Sequence, residues 1–350
     1  MKSVKIGERI IGLDQPAYII AEVGANHDRD LVSAHRLIDV AIDCGADAVK
    51  FQTYSAETLY SRFTPRLEMM DDFGRSPPEE TPFELIKRVE LPREWQKELR
   101  DHAVENGIDF LSTPFDLKAV GELAALGVKA FKIGSFELVN YGLLRAVAKY
   151  RHPLIISTGN SNLADVERAI NVVQEEGNDR VVLLHCVSQY PAEFEDLNLR
   201  AMQTLAQAFD VPVGFSDHSM GNTAAVVALG LGSCCFEKHF TLGRKRNGPD
   251  HPSALEPDEL GNYIQTIRDA EKALGSPVKR TQFSEEEVHV LGRCSLHALG
   301  HIPEGAWITA DMLTVKRPAL GIHPAYEGIV IGRTAQRDIQ ADEWITWDMV

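Results

Sequence analysis

The sequence is short of cysteine, of positive charge and of long apolar runs, and each shortage closes off a class of protein. Five cysteines in 350 residues are too few, and odd in number, for a disulfide-stapled scaffold. No Cys-x-x-Cys pair occurs, and Cys234-Cys235 sit together in an apolar run, so reduced, packed thiols are expected. Lys and Arg total 36 against 51 Asp and Glu, a formal charge of −15. The chain therefore lacks the basic excess with which a nucleic-acid binder neutralises phosphates, although a local basic pocket stays allowed. No apolar run approaches the roughly 18–20 residues of a membrane helix. Met1-Lys2-Ser3-Val4-Lys5 meets Gly7 and the charged Glu8-Arg9 before the apolar core of a signal peptide can form. A cytoplasmic protein without nucleic-acid or membrane partners is expected. Low-complexity tracts are missing too, and 44% hydrophobic with 25% charged residues is globular rather than disordered composition.

Present instead are eight short apolar segments. They are Ala17–Gly24, Ala46–Thr53, Asp109–Phe115, Ala130–Ser135, Pro153–Gly159, Val181–Val187, Val211–His218 and Ser233–Phe240. Near-continuous Val/Ile/Leu/Phe runs of this kind predict strands covered on both faces. Amphipathic stretches lie between them, at Leu31–Cys44, Arg93–Asn106, Asn162–Glu176 and Leu197–Phe209, and Pro257–Leu274 closes the series. Eight strand-then-helix units predict an α/β fold, a (β/α)8 TIM barrel, whose usual size is about 250 residues. The rival, a doubly wound open sheet, normally shows a Gly-rich turn after its first strand; Glu22-Val23-Gly24-Ala25-Asn26-His27 is not that fingerprint.

The expected organisation is a barrel over residues 1–275, a linker over 276–291 and a small module over 292–350. Gly275–Glu287 is polar and charged, and Gly292–Val350 is short-segmented and turn-rich, as in a small, mainly β domain. The connection Tyr54–Leu91, with Pro65, Pro77, Pro78 and Pro82, is long enough to be a binding loop or a solvated insertion.

Barrel enzymes carry their chemistry at the C-terminal ends of the strands, where polar residues accumulate here. Strand alternation places Lys50 with Gln52, Ser216 with His218 and Glu237 with His239 on shared faces. Lysines are seldom buried unpaired. Lys50 and Lys132 on neighbouring inner walls, with Thr113, Ser135, Ser157 and Ser216, form a site for a phosphate or carboxylate. The structural alternative pairs each lysine with Glu137 or Glu237. A desolvated Lys132 is also a candidate Schiff-base amine. Glu22, Lys50, Lys132 and Glu237 are the candidate catalytic groups. His218 and His239, ending adjacent strands with Glu237 or Asp217 nearby, suit a divalent ion with open positions.

At these residues the sequence resembles the sialic acid synthase family, also called NeuB-type synthases, which includes spore-coat polysaccharide and pseudaminic or legionaminic acid synthases. The matching stretches are IIAEVGANH, AVKFQTY, FLSTPFD, FKIGSFE, IISTGN, LLHCVSQYP, GFSDHS and FEKHFT, followed by GPDH at Gly248–His251 and VKRP at Val315–Pro318. The tail resembles the antifreeze-like (SAF) domain that follows the barrel in this family. The resemblance implies condensation of phosphoenolpyruvate with the aldehyde of an open-chain N-acylated hexosamine, giving a nine-carbon 2-keto-3-deoxy acid and phosphate. It implies a divalent metal on His218 and His239, manganese first and magnesium or cobalt as alternatives. Phosphoenolpyruvate contacts fall on Lys50, Thr113, Lys132, Ser135, Ser157 and Ser216, and Glu22 matches the catalytic acid. Gln52, Tyr190 and Asp250 match sugar contacts. Arg317 matches an arginine that reaches the sugar from a partner subunit, which implies a domain-swapped homodimer. Ser188 departs from the asparagine of bacterial neuraminate enzymes and bears on the choice of sugar. N-acetylmannosamine is the first acceptor expected, a 2,4-diacetamido-trideoxyhexose the second, and a 6-phosphorylated sugar a third. A pyruvate aldolase using Lys132 and a non-catalytic glycan or ice binder are the competing functions.

Overall fold

The computed structural model describes residues 2–66 and 79–350; Pro77 and Pro78 lie outside the described residues. The chain divides into two compact units, Met1–Gly275 and Ser276–Val350.

The first unit begins with an antiparallel hairpin, β1 (Val4–Ile6) and β2 (Arg9–Ile11), that the sequence reading did not anticipate. Eight parallel strands follow: β3 (Tyr18–Glu22), β4 (Ala48–Thr53), β5 (Asp109–Pro114), β6 (Phe131–Ile133), β7 (Leu154–Ser157), β8 (Val181–His185), β9 (Val213–Asp217) and β10 (Cys235–His239). Their order in the sheet is β5-β4-β3-β10-β9-β8-β7-β6, and the two end strands, β5 and β6, lie against each other. With helices following the strands, this is a (β/α)8 TIM barrel.

Each strand is buried on both faces, which is why its sequence reads as a continuous apolar run. One face packs under the outer helices in the large core of Ile19, Val49, Phe51, Phe131, Ile156, Leu183, Phe215 and Phe236. The other fills the barrel in layers. Tyr18, Ile20, Ala48, Ala130, Ile155, Val182 and Cys235 pack there against Val4, Ile6 and Ile11 of the hairpin, which closes the bottom. Two residues further along the same inward faces the side chains become Glu22, Lys50, Lys132, Ser157 and Glu237. The switch from apolar to polar along the inward faces gathers charged and hydroxyl groups at the upper end of the barrel.

Helix ends follow from local chemistry. Asp30 caps Leu31–Asp43 by accepting from the Ser33 N–H, and Asn162 and Asp165 form a reciprocal capping box on Leu163–Glu175, each satisfying donors that a helix start leaves unpaired. The expected helix over Leu197–Phe209 begins later, at Ala201, because Phe194–Asp196 forms a separate 3-10 turn and Asn198 takes a left-handed φ of 44°. The Tyr54–Leu91 connection has described residues on both sides of positions 67–78. It holds the helices Ala56–Leu59 and Pro82–Val89, the second packing Leu85 and Val89 on Ala25, just beyond β3.

In the second unit the segment expected as a linker carries a helix, Glu286–Gly292, entered through a capping box between Gln282 and Glu285. The β11 (Ser295–Ala298) and β12 (Leu313–Lys316) pair and a series of isolated bridges enclose a separate core of Leu296, Ile302, Ile308, Ile322, Ile339 and Ile345. Among the described residues no helix is long and apolar enough to cross a membrane, and all five cysteines are unpaired.

Candidate active site

The upper strand ends surround a cavity of about 170 Å³. Every strand but β8 supplies a polar group from its C-terminal end: Glu22 from β3, Lys50 and Gln52 from β4, Lys132 from β6, Ser157 from β7, Ser216 from β9 and Glu237 with His239 from β10. Thr113 of β5 joins them, as do Ser135, Ser188, Tyr190 and His218 from the residues just past β6, β8 and β9. The sequence reading is therefore drawn together, with two exceptions. Asp250 stands beside His239 without lining the cavity; its Oδ2 accepts from the Ala25 N–H at 2.8 Å and lies 3.9 Å from His239 Nδ1. Arg317 belongs to the second unit, directly after β12.

Charge organises the floor of the cavity. Lys50 Nζ is 2.8 Å from Glu22 Oε2 and 3.7 Å from Glu237 Oε2, and donates to Thr113 Oγ1 at 3.2 Å. Lys132 Nζ donates to Ser157 Oγ at 2.7 Å and to the Ile133 carbonyl at 3.0 Å, with Glu237 Oε1 3.7 Å away. The acid partners are Glu22 and Glu237; Glu137, also considered as a lysine partner, forms no ion pair among the described residues. Nor are the lysines on adjacent walls, because β5 stands between β4 and β6.

Each charge carries a consequence. Burial opposes ionisation of Glu237, but Lys132 and Lys50 outweigh it and hold the carboxyl at about 2. Burial also works against the Lys50 charge, and Glu22 with Glu237 outweigh it, so its pKa lies above the ordinary lysine value. At Lys132 burial wins and the pKa falls. At Glu22 burial again wins over Lys50 and His239, and the pKa rises. The cavity thus sets the pKa of Glu237 down and that of Glu22 up, a divergence between neighbouring carboxyls that acid–base chemistry uses.

A tight polar corner sits beside Lys132. A Cβ on Gly159 would come within 2.4 Å of Ser188 Oγ, 2.7 Å of Cys186 Sγ and 2.9 Å of Ser135 Oγ. Its backbone N–H donates to Ser135 Oγ at 3.1 Å. Only glycine leaves room there for backbone and hydroxyls to face an anion together.

The imidazoles close the opposite wall. His218 and His239 have ring centroids 5.7 Å apart, with the Tyr190 ring 4.0 Å from the first and edge-on at 5.5 Å to the second. His218 Nδ1 faces the Val187 carbonyl at 2.6 Å. A carbonyl can only accept, so Nδ1 carries the proton and Nε2 keeps its lone pair. Burial, then His239, pushes the His218 pKa down to about 3, leaving a neutral ring at any physiological pH. His239 Nδ1 is buried without a hydrogen-bond partner. Among the described residues no set of three or more His, Cys, Asp and Glu is arranged to hold a metal ion. The donor set fits a divalent ion that takes its remaining ligands from water and substrate. Asp217, considered as a metal neighbour, faces the other way; alternation sends it to the outer surface of β9, where it meets Lys238 and Tyr263. His185 likewise turns outward to the Leu197 carbonyl, and Asn26 ties to the Phe240 carbonyl.

The sequence reading did not name Phe115, Gly134 or Phe136 as cavity residues, and it weighed Glu137, which also lines the cavity, as a lysine partner. Glu137 Oε2 is buried without a hydrogen-bond partner, and burial raises its pKa to about 7. Its position two residues beyond Ser135 was the available signal. A carboxyl harder to ionise in the folded state than in the unfolded one costs stability above its unfolded pKa, with the full cost above its folded one. Glu137→Gln is expected to stabilise the protein at pH 8 by about 3 kcal/mol, with the gain shrinking toward pH 5. Urea unfolding at the two pH values measures it.

Residues 37–279 match the NeuB family model, and residues 293–350 match the SAF domain. The chain belongs to the NeuB family. It is 40% identical to the N,N'-diacetyllegionaminic acid synthase of Legionella pneumophila, over 97% of this chain and 96% of that one. It is 41% identical to the enzyme of that name from Campylobacter jejuni, over 93% and 98%. Among solved structures it resembles the N-acetylneuraminic acid synthetase of Leptospira borgpetersenii, with a TM-score of 0.73, 33% identity, and coverage of 82% and 94%. This NeuB-family chain is thus a sugar-acid synthase in fold and kinship.

Proposed function

We propose that the protein condenses phosphoenolpyruvate with the open-chain aldehyde of an N-acylated amino sugar, releasing phosphate and a nine-carbon 2-keto-3-deoxy acid. The observation that carries this reading is the pair of buried lysines, each joined to a strand-end hydroxyl, around one small cavity. Such a cluster recognises a compact substrate bearing both phosphate and carboxylate. In the balanced reaction, C3 of phosphoenolpyruvate bonds to the aldehyde carbon and the aldehyde oxygen gains a proton. Water then adds at C2, the C2–O bond to phosphate breaks, and loss of the new hydroxyl's proton leaves the ketone. Lys50, Lys132 and the hydroxyls of Thr113, Ser135, Ser157 and Ser216 hold the anionic groups. Glu22, whose pKa is raised by burial, moves the proton at the aldehyde end, where Gln52 Nε2 donates to its Oε1 at 2.6 Å. Glu237 keeps both lysines oriented. His218 and His239 would hold a divalent cation, manganese first, which when bound supplies Lewis acidity toward the aldehyde.

The acceptor is proposed to be a 2,4-diacetamido-trideoxyhexose, ahead of N-acetylmannosamine. Supporting this order, the two relatives at 40% and 41% identity are N,N'-diacetyllegionaminic acid synthases, whereas the N-acetylneuraminic acid synthetase structure shares 33%. The test is phosphate release from phosphoenolpyruvate with manganese across a panel of N-acylated hexosamines, with mass spectrometry of the products. Release that depends on the diacetamido sugar, with a nine-carbon keto acid, is the expected result; release with N-acetylmannosamine alone would reverse the order.

Arg317 is proposed to complete the sugar site from the second subunit of a homodimer in the cytosol. Inactive Arg317→Ala and inactive His239→Ala proteins, mixed under conditions of proven subunit exchange, are expected to regain part of the wild-type activity. Absence of recovery would place the arginine's action within its own chain. A Schiff-base role is the second reading for Lys132, favoured by its lowered pKa; an unchanged mass after borohydride treatment with pyruvate excludes it.

A further inference from the structure

On the outer surface of the last two strands lies an ion pair that no step above uses. Lys238 and Asp217 are directly opposite each other in the β9–β10 ladder and both are buried, with Nζ 3.1 Å from Oδ2. The surroundings satisfy them completely. Asp217 Oδ2 accepts from the Tyr263 hydroxyl at 3.1 Å, and Oδ1 accepts from the Ser219 N–H and hydroxyl at 2.9 and 2.7 Å. Lys238 Nζ also donates to the Ser219 carbonyl and stands 5.4 Å from the centre of the Tyr263 ring.

Stability alone does not account for such a pair, since well-packed apolar side chains of similar volume often do as well. Its geometry does. The pair is a directional cross-link between the residues immediately before His218 and His239. Ser219, immediately after His218, is tied into the same cluster, so His218 is fixed on both sides. His239 has greater need of backbone control, because its Nδ1 has no hydrogen bond to orient the ring. The helix Pro257–Leu274, which carries Tyr263, braces the cross-link from outside.

We propose that the Lys238–Asp217 pair, braced by Tyr263, is a positioning device that locks the ends of β9 and β10 so that His218 and His239 present their imidazoles to one divalent cation. Lys238 and Asp217 do not line the cavity; they act through the neighbouring histidines. This inference rests on the metal reading given under the proposed function.

The test uses the full-length protein after chelator treatment, with manganese and phosphoenolpyruvate titrated separately by calorimetry. Lys238→Met is expected to weaken manganese binding by about 10–100-fold, the usual cost of losing an outer partner of a metal ligand. Phosphoenolpyruvate affinity should stay within about twofold, because Lys50 and Lys132 sit on other strands and share no partner with Lys238. Lys238→Arg, which keeps the charge and the donors, should recover most of the manganese affinity. Should Lys238→Met not fold, Lys238→Met with Asp217→Leu removes both charges together, leaves no buried ion unpaired, and should show the same selective loss. Manganese binding by Lys238→Met at wild-type strength would overturn the inference alone. So would a parallel loss of both ligands, which marks general loosening. A wild-type protein that takes up no more manganese than His239→Ala removes the metal reading and this inference with it.

Discussion

Lys132→Met is expected to lower kcat/KM for phosphoenolpyruvate by about a thousandfold or more, an effect of roughly 4 kcal/mol on the transition state. The variant removes the ammonium that donates to Ser157 and faces Glu237, so both the substrate anion and the resident carboxylate lose their counter-charge. Glu237 stays ionised down to about pH 2 because Lys132 and Lys50 outweigh its burial. With one of them gone, a buried charge is left under-compensated, and breaking a buried pair from one side typically costs about 3–5 kcal/mol of stability. The two losses separate in a second variant. Lys132→Met with Glu237→Gln removes the orphaned charge along with its partner, so urea unfolding should recover much of the lost stability while phosphate release stays low. Recovery of turnover along with stability would mean that Lys132 matters for the fold and not for the reaction.

His239→Ala is expected to abolish manganese binding and to reduce turnover by about a thousandfold or more, since a Lewis acid stabilises the developing charge by several kcal/mol. The loss should be selective, because the lysines that hold the anion lie on β4 and β6 and His239 on β10. Phosphoenolpyruvate binding in chelated buffer is therefore expected to change by less than about threefold. Acid should act on manganese binding through groups other than His218, which burial keeps neutral down to about pH 3. Calorimetry with each ligand, and turnover before and after chelation, check these outcomes together. Full wild-type activity in metal-free buffer would rule out the cation's part in the reaction.

How much of this was legible beforehand depends on which physical signal each residue leaves. The strands announced themselves, because a parallel strand under a helix is buried on both faces and has no room for polar residues except at its ends. Period-two alternation then sorted the strand ends correctly where both neighbours were polar. Lys50 with Gln52, Ser216 with His218 and Glu237 with His239 do share the cavity. The same rule sends Asp217 and Lys238 outward, a consequence the sequence reading did not draw for Asp217. Glu137 was weighed only as a lysine partner, because it lies on the 3-10 turn Phe136–Val139, where alternation gives no direction. Asn26, His27 and His185 lie near the strand ends but do not line the cavity. They satisfy backbone groups, His27 Nδ1 accepting from the Arg29 N–H at 2.9 Å.

By itself the sequence determined the eight-fold strand–helix alternation, the polar strand ends and the ordered motifs of the family, since burial, helix capping and motif chemistry are written residue by residue along the chain. Tertiary structure alone decided that Glu22 and Glu237 rather than Glu137 pair with the lysines, and that burial raises the pKa of Glu22 while the lysines lower that of Glu237. It alone assembled Lys238, Asp217, Ser219 and Tyr263 behind the histidines. Those outcomes depend on distances between strands far apart in sequence and on the burial they share, and electrostatic energy in a water-poor interior changes too steeply with distance to be read from order along the chain.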